Sequence, residues 1–270
     1  MERDRETASS RSGKARALFR VLRRDARGSL HWAQELARRG IPANFNADEN
    51  FLDKDGALVR DICALGFEFG GSYDESPFWE EPYDSQYEKI SRLKDKLEGV
   101  TGKPMRSFSS KYSAYNEETL KIAEKLGIRY VFARGTAGAK AVVFKPKEYN
   151  LRIISTSDVP LKDIGGGTLA DGSFWSRGAG PEDFRNVLFS LKEDKITLVA
   201  QAQLSGAKLH WWNVYQEFFD ADLVEWQTFE KFCADPAELP NREIPMNREV
   251  QYLKPQPRIP LEEEVDYPFP

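Results

Sequence analysis

The sequence is poor in the side chains that most often build metal or nucleophilic centres, with two histidines and two cysteines in 270 residues. Cys63 and Cys233 do not make a disulfide framework, and both read as reduced thiols, the usual state in the cytosol. Imidazole chemistry is confined to His31 and His210. No apolar run approaches the ~20 residues that a membrane-spanning helix needs. The opening residues, MERDRETASSRSGKAR, lack the apolar centre of a signal peptide, so a cytoplasmic chain is expected. A net charge of −4 gives no electrostatic reason to expect nucleic acid or an anionic membrane as partner.

What is present is ordinary for a globular chain: 40% hydrophobic and 30% charged residues, enough for one barrel-sized domain. The organising stretch runs from Phe19 to Asp48. An apolar strand over 17–22 leads into a charged turn (Arg23, Arg24, Asp25, Arg27, Gly28). Ser29 is expected to cap an amphipathic helix that ends at Gly40, and a second strand starts at Ile41. Strand, helix, strand with short loops is a βαβ unit and implies a parallel sheet. Chemistry in such sheets sits where strands end and loops begin, which directs attention to Asp25.

Further along, helical periods cover 53–65, 87–100 and 116–126, the last capped by Asn116. Strands are expected at 67–72, 104–108, 129–134, 141–144, 152–157 and 196–203. The segment 160–181 is glycine-rich and reads as a loop, with Gly165 to Gly167 as a flexible lid; it lacks the spacing of a phosphate-binding loop. Helices follow at 182–191 and 208–219, then a short strand at 223–226 and a short helix to Cys233. Alternation over seven or eight units predicts an α/β fold, a distorted (β/α)7-8 barrel over 15–234. A flexible terminus (1–14) would precede it, and a proline-rich acidic tail (235–270) would follow.

Several stretches resemble the polysaccharide deacetylase (chitooligosaccharide deacetylase homology) superfamily. They are Arg23-Arg-Asp-Ala-Arg27, Gly40-Ile-Pro-Ala-Asn-Phe45, Leu65-Gly-Phe-Glu-Phe-Gly70, Thr101-Gly-Lys-Pro104, Phe108 to Leu120 and Ile196-Thr-Leu-Val-Ala-Gln201. The resemblance spans about 17–232 and rests on the order and spacing of these motifs. It implies a metal-dependent amide hydrolase in which an Asp and two His hold a metal, a first-strand Asp is the base and a last-strand His the acid. It also implies a carbohydrate or nucleotide-sugar-type small molecule as partner.

Carried over residue by residue, most of that site is missing. Asp25 matches the base. The metal-ligand Asp two residues later is Arg27, the histidine region reads Gly71-Ser-Tyr-Asp-Glu-Ser76, and the acid position is Gln201 or Gln203. A divalent ion would face a cation in place of an anionic ligand, so no cofactor is expected and the family metal, such as zinc, is not. The expectation is a divergent member with a degenerate metal site that keeps a sugar-binding cleft. The alternatives are a deacetylase with a rebuilt site, or a structural protein docking through its tail.

Candidate residues follow from this reading, each with a plainer alternative. Asp25 is a residual base or an ion-pair partner of its neighbouring arginines. Arg27 binds a substrate carboxylate or phosphate, or neutralises Asp25. Asp74 and Glu75 form an acid/base pair, or an oxygen-ligand metal site with Asp48 and Glu49, or a solvated loop. Lys111 donates to a substrate oxygen or is surface. Trp79 and Trp175 line a sugar pocket by stacking, whereas Trp211, Trp212 and Tyr215 are either groove or core. Homo-oligomerisation is left open.

Overall fold

The structure is a computed structural model that describes residues 13–22, 25–79, 81–135, 142–161, 165–246, 260–261 and 265–266. The expected flexible terminus at 1–14 thus lies almost wholly outside the described residues. The chain opens as β1 (Ala15–Leu22), α1 (Ala26–Arg39), β2 (Ala43–Ala47), α2 (Glu49–Ala64) and β3 (Glu68–Tyr73). It continues through α3 (Tyr83–Thr101), β4 (Ser107–Ser110), α4 (Glu117–Lys125), β5 (Tyr130–Arg134), β6 (Val143–Pro146) and β7 (Arg152–Thr156). The rest is β8 (Asp158–Leu161), β9 (Gly165–Thr168), α5 (Asp171–Trp175), α6 (Pro181–Phe189), β10 (Lys195–Gln201), α7 (Leu209–Asp220), β11 (Val224–Trp226), α8 (Phe229–Phe232) and β12 (Ala237–Leu239).

The main sheet runs β10-β1-β2-β3-β4-β5-β7-β6-β12, and β11 pairs with the start of β1. Every pairing is parallel except β6 with β7. The sheet curls, and β7 comes to face β10 without a ladder between them. A side-chain seam joins them instead: the Ser157 amide donates to Thr197 Oγ1 at 2.6 Å, and the Thr197 amide donates to Ser157 Oγ at 2.8 Å. Leu169 completes it, accepting from Val199 while donating to Ser157 O. The fold is therefore the distorted (β/α) barrel the sequence predicts.

Alternation along β1 divides the core in two. Phe19 points outward to the helices and meets Trp32 of α1, Tyr215 and Phe219 of α7 and Trp226 of β11, at centroid distances of 5.2–5.9 Å. Leu18 points into the barrel, where it joins Tyr130, Phe132, Ile154, Phe229 and Phe232 in a separate cluster that closes the lower end. Trp211, Trp212 and Tyr215 are buried, so these three are core. Among the described residues no helix is long and apolar enough to cross a membrane. Both cysteines are free thiols.

Three local expectations are corrected. The N-cap of α1 is Asp25, not Ser29, because an extended residue directly ahead of the first helical turn places its carboxylate on the Gly28 amide. Asp48 caps α2 in the same way, starting that helix earlier than 53. The segment at 160–181 is not one long loop. Its glycines form β9, antiparallel to β8, and α5 follows. Past residue 234 the tail contributes β12 to the sheet edge, parallel to β6.

The seam gives a test. Thr197→Val keeps the shape but leaves the buried Ser157 amide without its acceptor, so the variant should lose about 1–3 kcal/mol in urea unfolding. Thr197→Val combined with Ser157→Ala should cost less than the sum of the two single changes, since both remove the same seam.

Candidate functional site

The loops after β1, β3, β4 and β10 gather at the upper mouth, the end where parallel barrels do their chemistry. Asp25 sits on the first of these. Its side chain accepts from the Gly28 amide, and its carbonyl accepts from Ser29 Oγ at 2.7 Å. Gly28 is packed against the loop after β10 so closely that a Cβ would fall 2.1 Å from Ala202 O, which pins this turn in place. Arg27 is exposed. His31 lies inside α1 with its ring on Trp212 at 3.8 Å and Nδ1 3.3 Å from Gly206 O. A carbonyl can only accept, so Nδ1 carries the proton. Burial pushes the His31 pKa down, which keeps the ring neutral. His210 is exposed at the start of α7.

Beneath the mouth is a polar layer that motif reading missed. Arg20 of β1 is fully enclosed in the barrel, its guanidinium flat on Phe132 at 3.2 Å and bonded to Asn46 Oδ1 at 3.1 Å and Ser109 Oγ at 3.4 Å. These acceptors are neutral, and Arg20 Nε has no partner. Burial lowers its pKa to about 9, partly offset by the negative charge of Asp74, so Arg20 remains a cation at neutral pH. The one signal in the sequence was a charge at an inward-facing position of an otherwise apolar strand.

The β3 loop parts the two carboxylates that the sequence set side by side. Asp74 accepts from Ser72 Oγ at 3.2 Å on the inner side, whereas Glu75 accepts from Tyr73 OH at 2.7 Å on the outer side. Lys111 donates to Glu75 O at 3.3 Å. Next to it Tyr112 takes a left-handed backbone with φ of 59° and holds its ring 48% exposed at the mouth. Trp79 and Trp175 are both partly buried and stand on separate elements, the loop before α3 and the end of α5. Asn116 fixes the Trp79 carbonyl at 3.2 Å, and Trp175 packs on the core.

On the far wall, Gln203 Nε2 donates to Gln201 Oε1 at 2.8 Å. The Gln201 amide in turn donates to Asp171, at 3.0 Å and 3.1 Å to its two oxygens. Asp171 is fully buried, and desolvation raises its pKa to about 7 against the hydrogen bonds from Ser205, Gln201 and Gly172. Asp158 is also buried, with Thr156 and Thr168 hydroxyls near one oxygen. Its pKa rises to about 6 because desolvation outweighs the attraction of Arg134 and Arg177. Neither Asp158 nor Asp171 belongs to a motif, so only the three-dimensional arrangement reveals them.

These donors do not fit the metal that the family resemblance implies. Asp25 caps α1 through Oδ2, Arg27 carries the wrong sign, and His31 is held inside the packing, with its ring on Trp212 and Nδ1 on Gly206 O. The alternative oxygen-ligand set is dispersed too, since Asp48 caps α2 and Glu49 pairs with Arg92 at 2.8 Å. Among the described residues no group of three or more His, Cys, Asp or Glu could hold a metal ion. A cleft of about 600 Å³ exists, but at the opposite, lower end of the barrel; it is lined by residues of the 40–45 and 65–70 motifs and by none of the candidate site residues.

Comparison with known proteins agrees with the fold. The polysaccharide deacetylase family model matches residues 31–131. A putative polysaccharide deacetylase from Mycobacterium smegmatis superposes with a TM-score of 0.66 at 14% identity, over 87% of this chain and 97% of that one. A probable polysaccharide deacetylase from Pseudomonas aeruginosa gives 0.62 at 12% identity, over 82% and 90%. A CE4 family pseudoenzyme from Bacillus anthracis gives 0.59 at 10% identity, over 85% and 68%. No curated protein sequence matches the chain.

Two measurements check the site's energetics. Asp25→Ala removes the α1 cap and should cost about 1 kcal/mol in chemical unfolding. For Asp158 the folded pKa of about 6 exceeds the ordinary 3.8. Between those values the folded state keeps a proton that the unfolded state has released, so stability falls as pH rises through that window. Asp158→Asn should flatten this part of the melting-temperature profile while leaving the contribution of Asp171, which extends to about pH 7.

Proposed function

We propose that this chain, a divergent protein of the polysaccharide deacetylase fold whose residues 31–131 match that family's model, binds a carbohydrate at its upper mouth without metal-dependent deacetylation. The observation that carries this reading is the commitment of Asp25. The one residue retained from the family's hydrolytic set uses one carboxylate oxygen, Oδ2, to cap α1, and it stands next to Arg27 where an anionic ligand would be needed. Without a Lewis acid to polarise its carbonyl, an acetamide stays a poor electrophile.

The mouth has the groups a sugar needs. Gln201 and Gln203 are both donors and acceptors, Asp74 accepts and Lys111 donates, which suits neighbouring hydroxyls and an acetamido group. Tyr112, Trp79 and Trp175 offer aromatic faces for the apolar side of a pyranose ring.

The test joins binding with chemistry. Chitooligosaccharides titrated calorimetrically should bind the full chain, and Gln203→Ala or Tyr112→Ala should each weaken binding by roughly tenfold, the loss of about 1.4 kcal/mol. Acetate release from the same oligosaccharides should stay at background with added zinc and with chelator. Zinc-dependent acetate release would overturn the non-hydrolytic part, and absence of any saccharide binding would overturn the whole reading.

A further inference from the structure

The side of the upper mouth built by β5, β7 and the β8–β9 ribbon carries more positive charge than its one carboxylate balances. Side chains alternate along a strand, and Tyr130 and Phe132 belong to the cluster inside the barrel. Arg134, two residues on at the upper end of β5, therefore stands on the same inner face. It is partly exposed and makes no hydrogen bond or ion pair among the described residues. Across the ladder it is in register with Thr156, whose hydroxyl lies 3.5 Å from Asp158 Oδ1. Thr168 of β9 reaches the same oxygen at 3.4 Å.

Arg177, also partly exposed, approaches this group from the end of α5. Its guanidinium packs over Gly167, the neighbour of Thr168, so closely that a Cβ there would fall 3.0 Å from Arg177 Cζ. Nη1 donates to Ser173 O at 2.9 Å, while Nε has no partner. Like Arg134, Arg177 forms no ion pair among the described residues. Burial lowers its pKa, and the repulsion of Arg134 lowers it further, more than the attraction of Asp158 restores. Arg20 adds a third positive charge one step below, flat on the Phe132 ring.

Partly buried like charges repel strongly because little water screens them, and an anion placed between them relieves that repulsion. Guanidinium forks match the paired oxygens of a carboxylate or phosphate. Building on the reading of the mouth as a carbohydrate site, we propose that the saccharide it takes is acidic, with a carboxylate or phosphate group held between Arg134 and Arg177. The acidic group then sets specificity, since neutral sugars leave both arginines unpaired.

Two matched pairs of probes test this on the full chain by titration calorimetry. Chitotetraose is compared with a hyaluronan tetrasaccharide, in which glucuronic acid alternates with N-acetylglucosamine, and N-acetylglucosamine with its 6-phosphate. The acidic member of at least one pair should bind about tenfold or more tighter than the neutral one, and which pair shows it tells carboxylate from phosphate. Salt at about 0.5 M should shrink the preference, because it screens charge and not hydroxyl contacts. Arg134→Gln should abolish the preference, and Arg134→Lys, which keeps the charge and loses the fork, should retain part of it. Arg177→Gln serves as an independent variant, and circular dichroism reports whether each one is folded. Equal binding of neutral and acidic members, or full preference in both folded glutamine variants, would overturn the inference and leave the carbohydrate reading standing. Absence of binding by all four probes would overturn both.

Discussion

The packing around Phe19 is the constraint from which the upper mouth takes its shape. This one ring on β1 touches aromatic side chains of α1, α7 and β11, so these three elements are fixed relative to β1 at a single point. Such aromatic contacts are each worth about 0.5–1.5 kcal/mol beyond the area they bury. Fixing α1 and α7 together presses the Asp25 turn against the loop after β10. The close approach of Gly28 and Gly206 to Ala202 O follows from this, as does the placing of His31 on Trp212. The geometry that makes Asp25 a cap, and His31 a packing residue, is set by core aromatics and not by the mouth itself.

Inside the barrel the balance differs from the hydrocarbon layers usual in parallel barrels. The lower layer is apolar, but the layer above holds Arg20 among Asn46, Ser109 and the Phe132 ring. A buried cation bonded only to neutral acceptors is costly, and the flat ring and the charge of Asp74 offset just part of that cost. Together with Asp158 and Asp171, it places three ionisable groups in the interior that the family motifs do not account for. These buried charges stand in a fold that superposes on the deacetylase structures.

Much of the fold was legible because its signals are local. Gly40 ends α1 with φ of 67°, Asn116 caps α4 through a reciprocal pair with Thr119, and alternating apolar residues mark the strands. Where the reading failed, two local signals competed. Ser29 and Asp25 are both good caps, and only the path of the chain out of β1 decides between them. Glycines at 165–167 suggest mobility in sequence, yet they pair because β8 offers an antiparallel edge and Arg177 packs over Gly167. The site was less legible for a different reason. Arg20, Asp158 and Asp171 act through burial, a property set by residues distant in the chain.

The position of β1 in the sheet also governs the order in which the molecule can assemble. This first strand is interior to the sheet, yet its neighbours on one side, β10 and β11, come from the last third of the chain. While the chain is being synthesised, β1 can pair with β2 at once but must wait for residues 195–226 to cover its other edge. Until then it presents an open row of backbone donors and acceptors flanked by Phe19 and Val21, the kind of edge that pairs with other chains. Joining the two ends of the chain at one strand thus makes the barrel a slow, high-contact-order fold whose period of greatest exposure precedes its completion.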